Sequence, residues 1–333
     1  MNTQPMASLS LDLDNQWSYL KTHGDAGWES FPSYLPVVVP RVLEFLRARG
    51  LTITFFIVGQ DAALEKNAGP LRALAEAGHE IGNHSFHHEP WLHLYSETQL
   101  EREIAQAEAA IESATGQRPR GFRGPGFSLS ETVLRVLERR GYVYDASTFP
   151  TFLGPLARAY YLMTARMSKA ERAQRKALFG AFSDGWRQLS PYRWNLGDGR
   201  GLIEIPVTTL PLLKVPIHAS YVIWLSSYSP LLARWYFKTA VRLCRMTGTQ
   251  LSLLLHPLDF LGAEDVRELA FFPGMNLPAP RKLEIVSEII ALMTAEYRVV
   301  TMREHAEAAA SAALKLLSPH FRQHEAAIAA TGD

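Results

Sequence analysis

Residues Ala7 to Asp14 alternate strictly, with Leu9, Leu11 and Leu13 set against Ser8, Ser10, Asp12 and Asp14. A period of two predicts a strand whose polar face carries both aspartates. Downstream the apolar spacing switches to a helical period and back several times. Helices are expected over 37–49, closed by Gly50; 61–77, closed by Gly78; 96–115, with Ser96 and Gln99 in capping-box register; and 130–140, capped by Ser130 and stopped by Gly141. Between them, β-branched and aromatic runs at 53–58, 80–83, 121–126 and 142–146 read as strands. The alternation breaks off after Phe149 and resumes at Leu202, with strands at 202–207, 251–256 and 298–301 and helices at 231–246 and 281–294. Strand, helix, strand, helix is the pattern of a parallel sheet. The expected architecture is α/β: a distorted or incomplete (β/α) barrel of about seven strands with an inserted cap segment. One domain over 1–318 is expected, containing an insertion at 150–201 and an apolar segment at 208–240, followed by a tail at 319–333.

Composition narrows this little. Of 333 residues, 47% are hydrophobic and 20% charged, which is ordinary for a globular protein, and the formal net charge of +1 gives no reason to expect nucleic acid. The single cysteine, Cys244, rules out an intrachain disulfide and, in its apolar helical context, reads as a small buried hydrophobe. Met1 to Ser8 lacks a basic stretch followed by an apolar run, so the expected location is the cytoplasm.

Chemistry enters with the run from Glu80 to Pro90, where His84 and His88 stand four residues apart just after a short strand. Two neutral imidazoles can share a zinc or a neighbouring first-row ion if a carboxylate reaches them from elsewhere. Asp12 and Asp14, projecting together from a strand end, are candidates to supply it. Further candidates also fall at strand ends: Arg123-Gly124-Pro125-Gly126-Phe127, Asp145, and His256-Pro257.

This order of motifs resembles the polysaccharide deacetylases, carbohydrate esterase family four, in the subgroup whose first motif is Asp-X-Asp. The resemblance runs over about residues 7–150 and 200–302. It implies that Asp12 is the base and that Asp14, His84 and His88 hold one divalent metal ion, with zinc favoured over cobalt, nickel or manganese. Ser85 takes the hydroxyl position and His87 is a spare. Arg123 and Pro125 match the third motif, Asp145 the fourth and His256 the fifth. Arg123 is then expected to pair with Asp12, and Asp145 to orient His256, the proton donor. Pro125, Gly126 and Phe127 would line the substrate. Two departures stand out: Gly126 replaces the aromatic that usually follows the third-motif proline, and no tryptophan follows Asp145, Phe149 being the nearest aromatic.

The expected activity is metal-dependent removal of an N-acetyl or N-formyl group from an amino sugar. Alternatives are hydrolysis of another C–N bond, in a formamide or cyclic ureide, and a catalytically silent sugar-binding barrel. The segment 151–240 holds twelve Lys and Arg against four Asp and Glu, a local +8, and four of the seven tryptophans. A basic, aromatic segment suits phosphate and lipid headgroups. The expected substrate is therefore an amino-sugar glycan or a lipid-linked sugar met at the inner membrane face. Arg158, Arg166, Arg172 and Arg193 would take its phosphate, and Trp224, Leu231, Trp235 and Phe237 its chain or the bilayer.

Overall fold

The computed structural model of the protein describes residues 4–156, 182–197, 201–319 and 321. Its centre is strand β1 (Met6–Leu13), every residue of which after Met6 is buried. Both faces are covered, for different reasons. Leu9, Leu11 and Leu13 join the main apolar cluster beneath the outer helices. Ser8, Ser10 and Asp12 face inward, where Ser8 meets His305 and Ser10 and Asp12 meet Arg123.

Among the described residues the sheet has ten strands. After β1 come β2 (Thr54–Ile57), β3 (Glu80–Asn83), β4 (Gly121–Phe122), β5 (Tyr144–Asp145), β6 (Tyr192–Trp194), β7 (Ile203–Glu204), β8 (Leu251–Leu255), β9 (Arg298–Val300) and β10 (Leu316–Leu317). Their spatial order is β10-β6-β7-β5-β4-β3-β2-β1-β8, with β9 also paired to β1. Among the described strands only the β6–β7 pairing is antiparallel. The expected incomplete barrel is found, and eight of its strands lie where the apolar runs placed them. The two additions, β6 and β10, pair with each other and extend one edge. Neither is longer than three residues, too short to show a period, and β6 lies in the stretch read as an insertion.

Ten helices flank or plug the sheet among the described residues: α1 (Gln16–His23), α2 (Leu35–Arg47), α3 (Gly59–Ala62), α4 (Glu65–Glu76), α5 (Glu97–Thr115), α6 (Glu131–Arg139), α7 (Ala219–Ser226), α8 (Pro230–Met246), α9 (Ala279–Glu296) and α10 (Met302–Ala310). The Ser96/Gln99 capping box and the Ser130 cap form as expected. The helix expected over 61–77 is broken at Leu64, which is extended at φ −97° and ψ 117°. Asp61 lies in the short first piece, where its side chain turns inward to Asn15, Trp17 and Asn67. Cys244 is buried, and burial pushes its thiol up to about 12. No described helix is long and apolar enough to cross a membrane.

Two close approaches shape the barrel interior. A Cβ on Gly82 would lie 2.5 Å from the Phe56 ring, and one on Gly121 2.0 Å from Tyr144, so the two rings fill space that only glycine leaves open. Below them α10 closes the barrel: Met302 N–H donates to Thr54 Oγ1 and Arg303 N–H to Glu80 Oε2.

Candidate active site

Register brings the candidate residues together. Leu13 pairs with Ile57, Ile57 with Asn83, Asn83 with Phe122, and Phe122 with Asp145. The next residue on each of four of these chains is Asp14, His84, Arg123 or Ala146, all at the carboxyl end of a parallel sheet. On the other side of β1, Leu11 pairs with Leu255, so Asp12 and His256 follow on adjacent strands.

Asp14, His84 and His88 converge: one donor atom from each lies within 4.8 Å of the others. Asp14 Oδ1 is 2.9 Å from His88 Nε2 and 3.3 Å from His84 Nε2. Burial would raise the Asp14 carboxyl, but the two imidazoles, His88 foremost, hold it well below the usual range. His84 Nδ1 donates to the Arg123 carbonyl across 2.6 Å, which leaves its Nε2 lone pair for the cluster. An oxygen and two imidazole nitrogens so placed fit zinc or another first-row divalent ion.

The histidine loop is held in an uncommon shape. Ser85 and His88 both have positive φ, 61° and 54°, a conformation uncommon for L residues, though His takes it more readily than Ser. His88 N–H donates to Ser85 Oγ, and Glu103 on α5 accepts from the N–H groups of Phe86 and His87. Glu103 Oε2 also meets His87 Nδ1 at 2.6 Å, so His87 turns away from the cluster, as a spare should. Glu103 was missed in the sequence because it looks like any other acid on a long helix.

Asp12 and Arg123 form a buried pair. Arg123 Nη1 donates to Asp12 Oδ1 at 2.6 Å and to Ser10 Oγ at 2.8 Å, while Nε donates to the Ala146 carbonyl. The guanidinium also lies over the Phe56 ring, 4.4 Å from its centroid.

One expected role is corrected. Asp145 does not reach His256; it accepts from the Ser147 hydroxyl and N–H and is hydrogen-bonded to Glu204. Burial raises both carboxyls, and Asp145 adds to the rise at Glu204. Ser147 Oγ in turn accepts from Gly124 N–H, so Asp145 steadies the Arg123-Gly124 loop. The carboxylate that serves His256 is Asp259, three residues on in the same turn. Ser220 Oγ donates to Asp259 Oδ1 at 2.7 Å and lies 3.1 Å from His256 Nδ1, while His256 N–H donates to Asp259 Oδ2. Because Ser220 has one hydroxyl proton and gives it to Asp259, it accepts from His256 Nδ1–H, and Nε2 is left as the working nitrogen. Burial raises the Asp259 carboxyl, against the opposing charge of His256.

Pro125, Gly126 and Phe127 form a tight turn in which Phe127 N–H is spent on the Gly124 carbonyl. Gly126 N–H makes no hydrogen bond among the described residues. The Phe127 ring stacks on Phe149 at 4.7 Å, Phe149 meets His218 edge-on, and His218 lies 6.1 Å from His256. Phe149 and His218 thus build the wall for which the sequence offered no tryptophan. Burial and the charge of His256 push His218 down to about 3, so it is a neutral ring.

One expected lipid contact is corrected. Phe237 is fully buried in the main core, because its face of α8 packs inward. Arg158, Arg166 and Arg172 lie outside the described residues. Arg193 lies on β6 and donates to the Gly201 carbonyl.

Residues 24–144 match the sequence profile of the polysaccharide deacetylases. That span includes His84, His88, Arg123 and Pro125; Asp12, Asp14 and His256 join them through the sheet. A peptidoglycan deacetylase-like protein of Gibberella zeae is 34% identical over 128 residues, 38% of this chain and 36% of that protein. The peptidoglycan deacetylase of Helicobacter pylori is 25% identical over 154 residues, 44% of this chain and 50% of the relative. A peptidoglycan-N-acetylmuramic acid deacetylase of Bacillus subtilis is 33% identical over 104 residues, 31% of this chain and 38% of its own length. The chain thus spans half or less of these relatives. Among solved structures, a Mycobacterium smegmatis protein described as a polysaccharide deacetylase superposes with a TM-score of 0.60 at 20% identity, covering 97% of this chain and all of that one, a likeness of fold. Over residues 24–144 the chain is similar to the polysaccharide deacetylases.

Proposed function

We propose that the protein is a metal-dependent hydrolase that removes the N-acyl group of an amino sugar, releasing a carboxylate and a free amine. One observation carries this reading: the Asp14, His84 and His88 donors stand beside two separately tethered groups, Asp12 on Arg123 and His256 on Ser220 and Asp259.

Hydrolysis adds the oxygen of water to the acyl carbon and breaks the C–N bond. Asp14, His84 and His88 would hold a divalent ion, whose contribution is Lewis-acid polarisation and a more acidic water. Asp12, held in place by the Arg123 guanidinium, takes the proton of the attacking water. His256, with Nδ1 committed to Ser220, delivers a proton from Nε2 to the leaving nitrogen. Gly126 N–H is the backbone donor available to the acyl oxygen as it gains charge.

The substrate class that fits best is an amino sugar within a glycan or its lipid-linked precursor, carrying acetyl or formyl. Incubation of the metal-loaded protein with N-acetylglucosamine oligomers, and with N-acetyl and N-formyl lipid-linked amino sugars, followed by mass spectrometry, tests this. Loss of one acyl group that requires Asp12 and His256 is the expected result. No turnover of any of them by metal-loaded protein would sink the proposal.

A further inference from the structure

One face next to the site carries exposed apolar side chains that no described part of the chain covers. Leu212 and Leu213 are 84% and 67% exposed at the tip of a turn, and Tyr228, Leu231, Leu232 and Trp235 are exposed at the junction of α7 and α8. The tip is built, not frayed. Leu210 N–H donates to the Val215 carbonyl and Lys214 N–H to the Leu210 carbonyl, and Tyr236 of α8 anchors the turn by donating to the Pro216 carbonyl. Leu212 and Lys214 are held at φ 71° and 55°, a strained conformation that presents Leu212 outward.

The segment that builds this face carries charges of one sign. No Asp or Glu occurs between Glu204 and Asp259, while Lys214, Arg234, Lys238, Arg242 and Arg245 all do. Arg234 pairs with Glu288 and Arg245 lies near Glu296, whereas Lys238 and Arg242 have no ion-pair partner among the described residues. On α8 the sequence Leu231, Trp235, Lys238, Arg242 steps by four, three and four, so apolar and cationic side chains share one stripe.

The face is joined to the catalytic centre. Ser220, in the first turn of α7, holds His256, and Tyr228 follows two residues after that helix ends. Eight residues of helix span about 12 Å. The rings of Tyr221, Trp224 and Tyr228 line this distance with centroids 5.5 and 5.2 Å apart. No Asn, Gln, Asp or Glu occurs from Leu210 to Met246, so this segment sets no amide or carboxylate beside the rings to accept from sugar hydroxyls.

We propose that the Leu212/Leu213 turn and the start of α8 dock on an anionic lipid surface, laying the mouth of the active site against the headgroups. Leucines and aromatic rings enter the interface while Lys238 and Arg242 meet phosphate, the arrangement of interfacial amphipathic segments. The docking does not depend on the hydrolytic reading, since it needs neither metal nor turnover.

The test is flotation of the full chain with phosphatidylcholine vesicles and with equimolar phosphatidylcholine and phosphatidylglycerol vesicles, across a salt series. Binding to the anionic vesicles at low salt, falling as salt rises, is expected. Leu212→Ser with Leu213→Ser, and separately Leu231→Ser with Trp235→Ser, should each weaken it about tenfold. Lys238→Glu with Arg242→Glu should weaken binding to anionic vesicles by about tenfold or more. All six positions are exposed, so circular dichroism melts should match the parent. Folded parent protein that ignores anionic vesicles at low salt, or variants that bind like the parent, would overturn the proposal. So would Trp235→Ser losing affinity for chitin oligosaccharides while vesicle binding persists, which would assign the rings to a glycan.

Discussion

His256 and Asp259 are neighbours in one turn: the backbone N–H of the first donates to Oδ2 of the second at 2.8 Å, while Ser220 links Oδ1 to the imidazole. The anion that orients the histidine is therefore local to its own loop. Asp259→Asn loosens the turn that holds the His256 ring through Ser220, so kcat should fall by roughly 10²-fold with metal content unchanged. Asp145→Asn should lower thermal stability and spare more of the kcat, because Asp145 holds Ser147 and through it Gly124. Turnover and melting temperature of the two variants, measured side by side, check the reassignment.

Arg123 is fully buried and Asp12 nearly so. Removing one partner leaves the other as an uncompensated buried charge, which costs about 3–5 kcal/mol. Arg123→Met should lose stability on that scale in denaturant titrations and lose turnover by roughly 10²-fold or more. Arg123→Lys should recover part of the stability and little of the turnover, since an ammonium cannot reach Asp12, Ser10 and the Ala146 carbonyl at once.

Metal content separates the histidines. His84→Ala should strip a divalent ion from the purified protein, as should Asp14→Ala. His87→Ala should retain it, because the His87 ring faces Glu103 and is half exposed. Inductively coupled plasma analysis after dialysis reads all three.

Acid stability should report on His305. It is buried between Ser8 and Gln250, and burial pushes it down to about 4. Its folded form resists a proton that the unfolded chain accepts near pH 6.5, so stability is full above that pH and falls as pH drops towards 4. The whole effect is at most about 3 kcal/mol. His305→Gln should flatten the fall between pH 6.5 and 4 in chemical denaturation.

Much of this was legible in the chain. The alternation of β1 placed Asp12 on an inward polar face, because period two is a property of the backbone that tertiary contacts did not override. The histidine spacing and the Arg123 motif likewise sit where strand ends put them. What escaped notice depends on contacts between distant segments. Glu103, Ser220 and His218 look like a helix-surface acid, a helix-start serine and a lone histidine until folding brings them against His87, His256 and Phe149. The motif position of Asp145 says where it lies and not which way it points. Phe237 reads as surface in the sequence because the inward and outward faces of α8 are both apolar near its start.

The histidine loop, finally, owes its shape to the protein. Glu103 clamps two of its N–H groups, the Ser85 hydroxyl caps His88, and the Arg123 carbonyl sets the His84 ring. Ion capture by such a loop is docking and not coupled folding. Titration calorimetry should therefore give a heat-capacity change near zero, and far-ultraviolet circular dichroism should not change with metal. Weakening the clamp with Glu103→Gln should turn capture into an ordering event, with slower uptake and a negative heat-capacity change.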